Sequence, residues 1–239
     1  MRSIPKISPC GDAALTVEFP QIVDAQINAH VLGLDAEIGR SALTGVIETA
    51  PTYASVLVYF DPLVTSFGRL RDQIYDLNAR TTPIDDTGDS WTIPVCYGGD
   101  HGFDLDDVSE LHQLHPAEVA SRHAAPDYRV YMIGFLPGFA YLGGLDPTLF
   151  TPRRPTPRTK VPPGSIVIGG VQTAVGSIVG PSGWHVIGAT PVRLFMAGRD
   201  PVVFVKPGDR VKFEPVTLKQ YRTMCSAAER GEIVAVRSR

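Results

Sequence analysis

Residues 131–194 read YMIGFLPGFAYLGGLDPTLFTPRRPTPRTKVPPGSIVIGGVQTAVGSIVGPSGWHVIGATPVRL. Glycine, proline, aromatic and basic residues come too densely here for an ordinary loop and too regularly for a disordered one. Four prolines at 152, 155, 157 and 162 forbid a helix, since each fixes its own φ and pushes its predecessor toward extended backbone. An extended, ordered strap follows. Its cations, Arg153, Arg154, Arg158 and Lys160, have no acidic residue between positions 147 and 199, so the strap is locally cationic on a chain of net charge -3. It reads either as a solvated loop carrying charge or as a stiffened anion-binding segment, in which arginines pinned between prolines have little freedom to lose on binding.

The flanking residues carry the same two readings. Phe135, Phe139 and Tyr141 alternate with Pro137, Gly138, Gly143 and Gly144, which puts aromatics on a tightly turned backbone, as core packing or as the wall of a pocket. Gln172 and His185 adjoin short apolar runs that read as strands, where a polar residue is more often a hydrogen-bonded structural group than a catalyst.

Working outward, the 239 residues suffice for one domain or two, and 44% hydrophobic with 20% charged residues is the composition of a soluble globular protein. No run of about 18 apolar residues exists, and the first residues lack the apolar run of a signal peptide, so a cytoplasmic protein without membrane or nucleic-acid partners is expected. Three scattered cysteines, Cys10, Cys96 and Cys225, suggest neither a disulfide framework nor a zinc site. His112 and His115 lie near Asp106, Asp107 and Glu110, but Pro116 follows at once and places His115 at a helix boundary. No metal site is read there.

The first third alternates cleanly. Ala13, Leu15, Val17 and Phe19 predict a half-buried strand; Ile27, Val31, Leu34 and Ile38 predict a helix ended by Gly39. Strands at 46–50 and 55–60, a helix through Phe67, Leu70, Ile74 and Leu77, and a strand at 91–96 complete a β-α-β-β-α-β order, the ferredoxin-like arrangement. Residues 80–90 are polar and form the natural linker, with 1–85 and 86–239 as the expected domains. The strand at 91–96 fits either. Two short helices follow, one through Leu105, Val108 and Leu111 and one starting at Pro116. Short β runs at 128–135, 165–169, 184–187, 192–196, 202–205 and 211–213 then predict a barrel or sandwich, closed by a helix at 217–230 and a strand at 233–236.

Several chemistries are missing. There is no GxxxxGK[ST] loop and no GxGxxG after a strand, and Gly180-Pro181-Ser182-Gly183 misses the spacing of a nucleophile elbow. No nucleophile or general base is assigned. Lys160 and Lys206 lack the setting of a biotinylated lysine.

The blocks Phe135-Leu136-Pro137-Gly138-Phe139, 151–162, Gln172-Thr173 and Gly183-Trp184 with Ile187-Gly188 resemble the family that joins the B subunit of 5-oxoprolinase, KipI, allophanate hydrolase subunit 1 and half of the carboxyltransferase domain of urea amidolyase. The resemblance extends more weakly from 11–15 to 207–211. It implies an α+β fold, with a cyclophilin-like β-barrel after the small ferredoxin-like domain. It also implies a component of an ATP-dependent assembly that opens 5-oxoproline to glutamate, active only with subunits A and C, with ATP bound elsewhere or at an interface. The alternatives it implies are a KipI-like inhibitor of a sensor histidine kinase and a component of a biotin-dependent urea carboxylase or allophanate hydrolase system.

Within that family the candidate residues for substrate or partner are Arg153, Arg158 and Lys160 as cations, Gln172 as an orienting amide, Phe139, Tyr141 and Trp184 as apolar walls, and His185. The chain departs from the family pattern at Ala174-Val175-Gly176-Ser177 and at Gly180-Pro181-Ser182-Gly183. These departures bear on substrate identity more than on fold.

Overall fold

The computed structural model describes residues 4–84 and 88–238. The chain divides into two units, residues 1–87 and 88–239. The expected boundary between 85 and 86 lies outside the described residues.

The first unit runs β1 (Lys6–Pro9), β2 (Ala14–Glu18), α1 (Ala25–Ser41), β3 (Val46–Pro51), β4 (Ser55–Phe60) and α2 (Phe67–Arg80). Asp24 starts α1 by accepting from the amides of Gln26 and Ile27, both at 2.9 Å, and Ser66 caps α2. The helical stripes Val31, Leu34, Ile38 and Leu70, Ile74, Leu77 meet Leu15, Val17, Val56, Val58 and Phe60 of the sheet in one core. Each such burial stabilises by roughly 1.5–3 kcal/mol. α1 approaches the chain after α2 closely at Gly33, where a Cβ would stand 2.4 Å from the Thr82 carbonyl oxygen. Glycine is required there for space, not for backbone conformation.

The sheet order is β1-β2-β4-β3, antiparallel throughout. That is the ferredoxin-like strand order with one edge supplied from the other end of the chain: β1 occupies the place expected for 91–96. Lys6-Ile7-Ser8-Pro9 carries a single large apolar side chain, so no alternation marks it as a strand.

The strand at 91–96 belongs to the second unit, as β5 (Ser90–Tyr97). Then come α3 (Leu105–His112), α4 (Pro116–Ala124), β6 (Asp127–Ile133), β7 (Ala140–Gly143), β8 (Arg158–Val161), β9 (Ser165–Gly169), β10 (Gln172–Val175), β11 (Gly180–Ser182), β12 (His185–Ala189), β13 (Arg210–Pro215), α5 (Leu218–Glu229) and β14 (Val236–Ser238). The ring β12-β9-β10-β7-β6-β13-β5 closes because β12 also pairs with β5, making a seven-stranded barrel. β5 and β13 are its parallel pair. Closure leaves no open edge, which a short-stranded sheet needs. β14 extends β5 outside the ring, and β8 pairs with β11 as a separate ribbon.

The strands expected at 192–196 and 202–205 do not form; Phe195 and Val203 make one isolated bridge. Arg199 explains why the segment folds back on itself, since its guanidinium donates to the carbonyls of Leu194 and Pro201, both at 3.1 Å, and of Val202 at 3.3 Å. Val192, Leu194, Phe204 and Val205 still fill the core, as loop residues.

Barrel-facing residues such as Ile93, Val95, Tyr128, Val130, Leu142, Ile166, Ile168, Ile187 and Phe213 make the main core. One polar chain crosses it. The Thr173 hydroxyl donates to the Val167 carbonyl at 2.9 Å, so its only hydrogen is used and His123 Nε2–H must donate to it, at 2.8 Å. Nδ1 of His123 then accepts from Tyr97 Oη at 2.7 Å. Burial favours this neutral ring and lowers the His123 pKa to about 3. No helix among the described residues is long and apolar enough to cross a membrane.

Candidate functional site

The strap is anchored by a residue far from it in sequence. Asp104, fully buried at the start of α3, takes Arg158 as a bidentate partner, with Oδ1 2.6 Å from Nη2 and Oδ2 2.7 Å from Nη1. Arg154 Nη1 donates to Oδ1 at 3.0 Å and the Val186 amide to Oδ2 at 2.8 Å. Four charge-assisted or amide hydrogen bonds thus hold one carboxylate, next to the positive end of a helix. Phe103 adds its ring beneath Arg158, 4.7 Å from the guanidinium carbon.

Arg158, a candidate ligand contact by sequence, is thus held by a carboxylate of its own fold. No acid is near in sequence, but α3 brings Asp104 to it. Two of the strap's four cations, Arg154 and Arg158, are engaged in holding the fold; Arg153 and Lys160 remain exposed. His112 takes no part with His115: its Nε2 lies 2.9 Å from the Thr151 hydroxyl, and burial, helped by the proximity of His185, lowers its pKa.

The same anchoring fixes Arg153. The Arg154 amide donates to the Gly183 carbonyl at 2.7 Å, and Ser182 pairs with Arg158 across β8 and β11. The turn carrying Trp184 is so tied to the strap, and the Arg153 guanidinium comes to rest over Trp184, 5.6 Å from the ring centroid. The indole lies flat on Gly169, where a Cβ would be 2.4 Å from it. Tyr141 meets Trp184 edge-on at 5.8 Å, Phe139 meets Tyr141 at 4.8 Å, and Phe135 meets Phe139 edge-on at 5.8 Å. These residues, with Pro181, Ser182 and Gly183, line a concavity of about 160 Å³.

Of the residues singled out from sequence, Phe135, Phe139, Tyr141, Arg153 and Trp184 come together here. Gln172 does not line the concavity, but it pairs with Gly169 across β9 and β10, beside the indole, and its buried Nε2 has no partner among the described residues. His185 donates from Nε2 to the Pro152 carbonyl at 3.1 Å, which steadies the strap. Lys160 sits exposed on β8. Asp104 was missed because the only local signal at 104 is that of a helix cap, while its partners lie 50 and 54 residues away.

Small size, apolar walls and one guanidinium suit a compact ring bearing a carboxylate or similar anion. Among the described residues no carboxylate pairs with Arg153, so its charge is available.

The family described as carboxyltransferase domain, subdomain C and D, matches residues 5–205. The chain belongs to this family. It is 34% identical over 236 residues to the B subunit of 5-oxoprolinase from Bacillus subtilis, covering 90% of this chain and 95% of that protein. To the B subunit of 5-oxoprolinase from Haemophilus influenzae it is 44% identical over 207 residues, covering 87% and 96%. Among solved structures, TTHA0988 is 30% identical with a TM-score of 0.75, over 85% of this chain and 40% of that one. Urea amidolyase of K. lactis is 18% identical with a TM-score of 0.83, over 98% of this chain and 16% of that one, a likeness of fold. The α+β architecture with its closed barrel is the cyclophilin-like arrangement that the resemblance implies.

Proposed function

We propose that the chain is the B subunit of a multi-component, ATP-dependent 5-oxoprolinase, converting 5-oxoproline, ATP and water to glutamate, ADP and phosphate in the cytoplasm, and that it acts only with partner subunits of the A and C kind. The relatives named as B subunits of 5-oxoprolinase support the assembly. The observation that carries the role of this chain is Arg153, held over Trp184 with no carboxylate partner among the described residues and walled by Phe139 and Tyr141.

In this reading Arg153 pairs with the substrate carboxylate while the aromatic walls exclude water from the ring, which strengthens that pair and orients the lactam. A lactam carbonyl is a poor electrophile, and ATP supplies a phosphate leaving group at its oxygen. Its phosphates have no cradle in the strap, where Arg154 and Arg158 are committed to Asp104. The phosphoryl chemistry is therefore assigned to partner subunits or an interface with them. His123 is no general base, since both of its nitrogens are bonded inside the barrel.

Co-expression with the partner subunits tests this. ATP- and 5-oxoproline-dependent glutamate formation is expected from the assembly and not from this chain alone. Turnover by the isolated chain, or an intact assembly inert toward 5-oxoproline, would overturn the assignment.

A further inference from the structure

Among the described residues, three that are not glycine have positive φ: Ala42 at 43°, Gln113 at 54° and Phe135 at 68°. Ala42 and Gln113 are the C-caps of α1 and α3, where a left-handed residue satisfies helix carbonyls. Phe135 closes no helix. It stands in the loop between β6 and β7, held by the Gly134 amide on the Phe139 carbonyl at 3.1 Å, the Phe139 amide on the Leu136 carbonyl at 3.0 Å, and the Ser177 hydroxyl on the Pro137 carbonyl. Glycine would adopt this φ freely, as Gly138 does at 71° in the same loop. The phenylalanine is instead strained and 62% exposed, so it gains neither an easy backbone nor burial. Its ring forms one wall of the concavity that Arg153 and Trp184 also line.

We infer that Phe135 is a specificity-determining residue of this site, the aromatic wall that takes the apolar face of a small cyclic carboxylate and disfavours its ring-opened, doubly carboxylated product. The inference rests on the function proposed above. Strain of this kind persists where the surrounding fold over-determines it, and it clusters at ligand contacts. An apolar wall favours an uncharged lactam ring over the ammonium and second carboxylate of glutamate, whose desolvation it cannot repay.

The test compares the wild-type assembly with Phe135→Gly and Phe135→Leu. With glycine, the melting midpoint should equal or exceed that of wild type, while KM for 5-oxoproline rises about tenfold or more, kcat changes less and inhibition by glutamate is nearly unchanged. Leucine, keeping bulk without the ring, should fall between. A lowered midpoint in Phe135→Gly would make Phe135 a packing residue, and loss of partner co-purification would make it an interface contact; either overturns the inference, as does an unchanged KM. The indole N–H resonance of Trp184 in the full chain, recorded with added 5-oxoproline, separates the two levels. If wild type shows neither turnover nor a shift, the proposed function fails and the inference with it; if wild type shows both and Phe135→Gly matches it, only the inference falls.

Discussion

Asp104 and Arg158, 54 residues apart in sequence, form a two-pronged ion pair at 2.6 and 2.7 Å, with the carboxylate fully out of water. The pair turns the proline strap from a mobile cation into a fixed frame. Arg158, whose charge reads from sequence as a ligand contact, holds the frame; Arg153, five residues earlier, pairs with no carboxylate among the described residues.

Breaking that pair is therefore expected to act on stability first. Asp104→Ala leaves two guanidinium groups, from Arg154 and Arg158, facing a buried gap and should destabilise by about 3–5 kcal/mol. Urea unfolding followed by tryptophan fluorescence measures it. A loss under about 1 kcal/mol would place the group with exposed ion pairs instead.

Arg153→Ala should do the opposite. The side chain is exposed and bonded to no carboxylate among the described residues, so stability should stay within about 0.5 kcal/mol of wild type. Ligand binding by the assembly should weaken by about 1.5–3 kcal/mol, with Arg153→Lys restoring part, because lysine keeps the charge without the fork. Titration of the assembly with 5-oxoproline, set beside thermal melting, reads both quantities.

Gly169→Ala tests the seat of the indole. The new methyl would stand 2.4 Å from the Trp184 ring, and an indole packed against Tyr141 and Arg153 has no flexible end to move. The expected result is a loss of about 1–3 kcal/mol and a red-shifted Trp184 emission. Unaltered emission would mean that the ring does not lie on the glycine.

His123 makes stability depend on pH with a definite sign. Its folded pKa is lowered to about 3 by burial, while the unfolded chain takes up a proton near the ordinary value of 6.5. Between those values the unfolded state binds more protons, so the stability is complete above pH 6.5 and is lost as pH falls toward 3, by up to about 1.4 kcal/mol per pH unit. Urea midpoints of wild type and His123→Asn between pH 4 and 7 should converge as pH falls. A constant difference between the two would show that His123 titrates normally in the folded protein.

The sequence by itself determined what depends on near neighbours. The stripe Val31, Leu34, Ile38 and the cap Asp24 specify α1 within one stretch, Thr217 and Gln220 specify the start of α5 by a reciprocal cap, and the prolines at 152, 155 and 157 forbid a helix in the strap. The aromatic and basic residues of 131–194 likewise announced a site, and five of them, Phe135, Phe139, Tyr141, Arg153 and Trp184, do meet in one concavity. What only the tertiary structure decided are pairings across long separations. β1 rather than the strand at 91–96 completes the first sheet, and β5 instead closes the barrel by joining β12 to β13. Asp104 captures Arg154 and Arg158 and leaves Arg153 available. Strand pairing and ion pairing depend on which chemically equivalent groups the fold brings within a few ångströms, and neither side-chain periodicity nor local capping carries that distance.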